Sequence, residues 1–96
     1  MQMAFIAKLV VKPEKVAEFE EIQKKLSDIT QETEPDTLVY DFIKHREQEN
    51  TYVVYSRYKD DDAFQTHMNA PSHEELVPPI LEALAEEMDL QFYDVV

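Results

Sequence analysis

The chain has 96 residues, a formal net charge of -12, 44% hydrophobic and 31% charged residues, no cysteine and no glycine. That charge opposes binding to phosphate backbones or anionic lipid, which depends on Lys and Arg displacing counterions, so neither nucleic acid nor a membrane surface is an expected partner. The missing cysteine excludes disulfides and thiolate metal sites, the missing glycine excludes the common nucleotide-phosphate loops, and no apolar run approaches the roughly 18 residues of a bilayer span.

From Met3 to Val11, Met3, Phe5, Ala7, Leu9 and Val11 fall on one alternating set and Ala4, Ile6 and Val10 on the other, with only Lys8 intruding. Apolar residues on both sets predict a central strand covered on both faces. The same segment lacks the basic head and unbroken apolar core of a secretory leader, so the expectation is a cytoplasmic chain working at full length. Pro13 suits the first turn of a helix, where its missing N–H costs nothing. Val16, Phe19, Ile22, Leu26 and Ile29 then recur at spacings of three and four, predicting a helix to about Glu34 that Pro35 stops. Thr37 to Arg46 and Thr51 to Lys59 are rich in β-branched and aromatic residues, and Glu47 to Asn50 between them fits a hairpin loop. Asp60, Asp61 and Asp62 offer an N-cap and first-turn charges for a short helix carrying Ala63, Phe64, His67 and Met68. Pro71 interrupts it. Ser72 and Glu75 have capping-box spacing, predicting another helix with Leu76, Ile80, Leu84 and Met88 as its apolar stripe. Pro78 and Pro79 are expected to kink or delay that helix. Leu90 to Val96 reads as a strand.

The order β-α-β-β-α-β is the ferredoxin-like arrangement, α+β in class, over a single domain spanning residues 1–96. Right-handed crossovers place both helical regions on one face of a four-stranded antiparallel sheet. The strands nevertheless carry apolar residues on both sets, with Leu38, Tyr40 and Phe42 against Val39 and Ile43, and Val54 and Tyr58 against Val53 and Tyr55. A face that greasy exceeds what a monomer leaves in water, which predicts a homodimer with sheets packed face to face. Which set faces the helices stays open by one residue at the hairpin.

Glu34-Pro35-Asp36-Thr37-Leu38-Val39-Tyr40, Val54-Tyr55-Ser56-Arg57-Tyr58-Lys59-Asp60, Ala63-Phe64-Gln65-Thr66-His67 and Ser72-His73 together resemble the antibiotic biosynthesis monooxygenase domain family. The resemblance spans nearly the whole chain and implies a dimeric α+β barrel. It also implies an activity, since members include cofactor-free oxygenases of polycyclic phenols and quinols, with haem-degrading enzymes and an isomerase of a phosphorylated sugar among the relatives. His67 matches the family's recurrent second-helix histidine and Tyr40 its recurrent second-strand tyrosine. The sequence departs from the pattern at Asp36, where glycine is usual, at Ser56, where glutamate is usual, and in having no tryptophan. The last departure argues against a haem degrader.

On this reading His67 is the catalytic base, because imidazole titrates near neutrality and activation of a phenol toward dioxygen begins with deprotonation. A buried histidine satisfied by a neighbour is the plainer alternative. Tyr40, Tyr55 and Tyr58 are candidates to line an aromatic pocket, against the commoner role of strand tyrosines in cores and interfaces. Asn69 is a candidate donor to substrate, with helix-end capping as its simpler role. His73 and His45 are expected at the surface, and no metal-ligand spacing is present. The expected activity is a cofactor-independent monooxygenase for a small aromatic phenol or quinol. A non-catalytic dimeric module binding a small ligand or protein stands second. The sugar-phosphate isomerase, which needs positive charge that nine basic residues scarcely supply, stands last.

Overall fold

The structure, a computed structural model, describes all residues from Met1 to Val96. Strand β1 (Met3–Val10) leads through a 3-10 turn (Pro13–Lys15) into helix α1 (Val16–Thr33). Strands β2 (Thr37–Lys44) and β3 (Thr51–Tyr58) follow, then helices α2 (Asp61–Met68) and α3 (Pro71–Glu82), and strand β4 (Asp89–Asp94) closes the chain. The four strands form one antiparallel sheet in the order β2-β3-β1-β4, the ferredoxin-like α+β fold.

Register assigns the two faces. Rows such as Tyr40, Ser56, Phe5 and Phe92, or Phe42, Val54, Ala7 and Leu90, point to the helices. Phe5, Ala7, Tyr40 and Val54 join Phe19 and Leu26 of α1 and Leu76 and Ile80 of α3 in the core, Phe42 packs against it, and Leu90 and Phe92 on β4 stay exposed. The opposite face carries Val39, Arg57, Ala4 and Tyr93 in one row and Asp41, Tyr55, Ile6 and Gln91 in the next, and no helix covers it. Ile43 and Tyr93 are exposed there.

Local chemistry sets the element ends. Pro35 disfavours helical geometry at Glu34, and α1 stops at Thr33. Strand β2 ends at Lys44 rather than Arg46 because His45 Nδ1 accepts the backbone N–H groups of Glu47 and Gln48, both at 3.0 Å, which folds the chain into a turn. That turn finishes at Asn50 with φ 58°, a left-handed geometry that asparagine tolerates well in a chain without glycine. Asp60 caps α2, its carboxylate accepting the Ala63 N–H at 2.8 Å.

Helix α3 departs from expectation at both ends. Its N-cap is Ala70 and Pro71 occupies the first turn, so the expected Ser72 cap does not form and the supposed interrupter initiates the helix. Pro78 and Pro79 lie inside it, and it ends at Glu82, before Leu84 and Met88. Backbone bonds to β1 capture the following segment instead: Ala85 N–H donates to Val10 at 2.7 Å and Lys12 N–H to Ala83 at 2.9 Å. Leu84 and Met88 still pack on the core, but from a loop. No helix is long and apolar enough to cross a membrane.

Candidate functional site

A cavity of about 260 Å³ lies between the helix-facing side of the sheet and all three helices. Phe5, Ala7, Leu9 and Val54 form its floor, and Ile80 and Val77 of α3 cover it. Thirteen of its sixteen lining residues are hydrophobic, and none is Lys or Arg. The polar exceptions are Gln23, His67 and His73, with the hydroxyl of Tyr40 beside them.

His67 is only 2% exposed, yet its Nδ1 lies 2.8 Å from Oε1 of Glu34, itself 8% exposed. The two residues are 33 positions apart. They meet because Glu34 leaves the helical path just before Pro35 (φ -121°, ψ 87°) while Asp60 fixes the start of the helix that carries His67. A carboxylate can only accept, so between the two neutral tautomers it selects the one with hydrogen on Nδ1, whose Nε2 carries the lone pair. No other hydrogen bond engages the His67 ring. Thr37 Oγ1 donates to the same Glu34 oxygen at 3.0 Å, holding the carboxylate in place. An imidazole oriented from behind, with an open nitrogen on a ring that lines an apolar cavity, has the geometry a general base requires.

Tyr40 stands on β2 with its ring centroid 5.5 Å from that of His67. Gln23 Nε2 of α1 donates to the Tyr40 hydroxyl oxygen at 3.2 Å, which leaves the phenolic hydrogen free to be donated. Burial pushes the Tyr40 phenol up to about 12, against the Gln23 hydrogen bond and with help from the Glu34 charge. Tyr40 is therefore a protonated donor throughout the neutral range. His73, in the first turn of α3, sets its ring edge-on to His67 with centroids 5.2 Å apart. Burial first, then the neighbouring His67, hold the His73 imidazole below its ordinary value, with Glu34 and Glu74 pulling the other way.

Of the residues singled out in the sequence, the structure brings His67 and Tyr40 together at the cavity. Tyr58 lies behind them: its ring is 5.5 Å from His67 and fully buried, but it does not line the cavity. Burial holds its phenol well above the ordinary range despite the nearby Ser56 hydroxyl. Tyr55 pairs with Ile6 in β1 and projects from the opposite face, away from the site. Asn69 is the exposed C-cap residue of α2, its backbone N–H bonding Gln65, and it does not line the cavity. His73 is not the surface residue it was expected to be.

Sequence reasoning missed Glu34, Gln23 and His73. Glu34 stands in the sequence as a helix end and as the first residue of a run that carries the resemblance, Gln23 falls inside an apolar stripe as an unremarked polar residue, and Ser72-His73 carries the resemblance without an assigned task. Glu34, His67 and His73 lie together, but Nδ1 of His67 is engaged by Glu34, and no set of three side chains converges with metal-ligand geometry.

The sequence model described as antibiotic biosynthesis monooxygenase matches residues 3–78, which include the cavity's strand floor, Glu34, His67 and His73. The chain is similar to a candidate antibiotic biosynthesis monooxygenase from Caulobacter crescentus CB15, at 26% identity and TM-score 0.94, over 99% of this chain and 90% of that one. A conserved protein from Methanosarcina mazei Go1 aligns at 27% identity and TM-score 0.91, over 97% and 91% of the two chains. Rv0793 from Mycobacterium tuberculosis shares the fold with TM-score 0.92 at 17% identity, over 100% and 96%. No curated protein matches. With its fold, its second-helix histidine and most of its length accounted for by one sequence pattern, the chain belongs to the antibiotic biosynthesis monooxygenase family.

Proposed function

We propose that the cavity binds a small, uncharged phenol or quinol and oxygenates it without a cofactor, with His67 as the base. The observation that carries this reading is the Glu34–His67 pair, which presents an unpartnered imidazole nitrogen to an apolar cavity. Nε2 takes the phenolic proton, and the resulting phenolate is electron-rich enough to react with dioxygen. One oxygen atom bonds to a ring carbon; the hydrogen lost from that carbon and the phenolic hydrogen leave with the other oxygen as water. A phenol thus yields a quinone, and every electron dioxygen accepts comes from the substrate. Tyr40, kept protonated, and Gln23 are placed to steady the phenolate oxygen. A phosphorylated sugar would meet no cation in this lining, which disfavours an isomerase.

Oxygen uptake measured over a panel of phenols, quinols and anthrones tests the proposal. Uptake with at least one member is expected, falling about 10²- to 10⁴-fold in His67→Ala. Undiminished turnover in that variant removes the base, and no uptake with any member removes the oxygenase. Ligand-induced thermal stabilisation without oxygen consumption describes a binding module instead.

We infer further that the working form is a homodimer joined through the sheet face that no helix covers. That face is apolar, with Ile6, Val10, Val39, Ile43 and Val53 among its residues. Its charges balance, Lys8 and Arg57 against Asp41 and Asp89, in a chain carrying -12 overall. Two such acidic chains can therefore meet on this face without net repulsion.

A further inference from the structure

The cavity is inverted relative to an ordinary ligand site. Three of its polar groups are deep, His67 at 2% exposed, Gln23 at 3% and Tyr40 at 5%, and the half-buried His73 sits edge-on to His67 at that same end. Its exposed lining is apolar, with Met68 at 40%, Leu81 at 46% and Leu90 at 37%. The two ends also lie on opposite edges of the sheet. Tyr40 stands on β2 and Leu90 on β4, with β3 and β1 between them, a separation of about 14 Å at the usual strand spacing. Beyond Leu90, Phe92 projects from the same side of β4 and packs edge-on against Phe64, extending the apolar rim along that strand. Water-facing rims are ordinarily polar, and contiguous exposed apolar side chains mark a surface that something covers.

We propose that the physiological ligand is a phenol with a single polar end and an apolar tail, which enters head first and leaves its tail across Met68, Leu81 and Leu90. This rests on the phenol reading above and narrows it. A head hydroxyl reaches His67 Nε2 and the Tyr40 hydroxyl. A second hydroxyl at the far end of the ring meets only aliphatic and aromatic side chains, where an unpaired polar group is strongly disfavoured. An anionic tail inside the cavity finds no cation and faces an acidic protein. An alkyl tail, by contrast, removes both its own surface and the rim from water.

Calorimetric binding of phenol and its 4-ethyl, 4-butyl and 4-hexyl derivatives, with hydroquinone and 4-hydroxybenzoate alongside, tests this under anaerobic conditions, where turnover cannot interfere. Affinity is expected to rise about three- to fourfold per methylene while the tail crosses the rim. Hydroquinone and 4-hydroxybenzoate are expected to bind at least about fivefold more weakly than 4-ethylphenol. In Leu81→Gln and Met68→Gln, both at exposed positions, the rise with chain length flattens. Equal affinity across the alkyl series, or hydroquinone binding as tightly as 4-ethylphenol, overturns the proposal, as does the absence of binding by every phenol. Oxygen uptake by the same compounds is scored separately: graded binding without uptake upholds the tailed-phenol site while removing the oxygenase, and uptake without the gradient does the reverse.

Discussion

In the proposed function Glu34 orients His67 by accepting a hydrogen bond from its Nδ1. Replacing it by glutamine keeps the shape but lets an amide donate to Nδ1, which moves the imidazole hydrogen to Nε2 and silences the base. Glu34→Gln is therefore expected to lower kcat about a hundredfold or more with little change in KM or melting temperature; a variant with normal kcat contradicts the pairing. Titration supplies a second check. Burial, with the Gln23 bond opposing, raises Tyr40 to about 12, and burial together with the Glu20 carboxylate raises Tyr52 to about 12. Tyr58 is raised as well. The unfolded chain thus releases these phenolic protons first, so stability is complete below about pH 10 and is lost as pH climbs toward about 12. His73 behaves oppositely, since its value is lowered: stability is complete above its ordinary 6.5 and falls as the solution becomes more acid. Thermal melting across pH should show both limbs, with Tyr40→Phe flattening the alkaline one and His73→Gln the acid one. Unaltered limbs in these variants contradict the assignments. His67 and Tyr40 were singled out in the sequence because each matches a recurrent position of the family that the sequence resembles. Glu34 was not, because its partner lies 33 residues away and only the fold brings them together.

Helix α2 has only eight residues, too few to persist on its own. Its start depends on the Asp60 cap, and its place depends on Ala63 and His67, which are buried against the sheet. Asp60→Ala is expected to cost about 0.5–2 kcal/mol, seen as a drop of several degrees in melting temperature for a domain of this size. An unchanged melting temperature contradicts the capping role. That cap was readable, as aspartates before a short apolar pattern have few other uses. The limits of α3 were not. Pro71 can either break a helix or begin one, and the choice falls to whether the preceding helix has already ended, as it has at Met68. The stripe through Leu84 and Met88 had helical spacing, but backbone bonds to Val10 and Lys12 took that segment out of the helix. Periodicity records which residues are buried; it does not record what the backbone between them is bonded to.

At the scale of the molecule, the ferredoxin-like arrangement followed from the order of the elements, and the apolar character of both sheet faces from alternation in the sequence. Assignment of the faces waited on register, which moved Tyr55 from the expected pocket to the uncovered side. If that side joins two copies, sedimentation of the wild type shows a dimer at micromolar concentration and Ile43→Glu shifts it to monomer. Ile43 is 54% exposed in the single chain, so the substitution is otherwise mild, and an unaltered dimer contradicts this interface. In the proposed function an apolar chamber headed by an oriented imidazole turns a phenol over to dioxygen. Mass spectrometry of product formed under isotopically heavy dioxygen tests it most directly. A product carrying one heavy oxygen atom is expected from wild type and almost no product from His67→Ala; product without heavy oxygen, or equal labelled product from the variant, contradicts the oxygenase and its base.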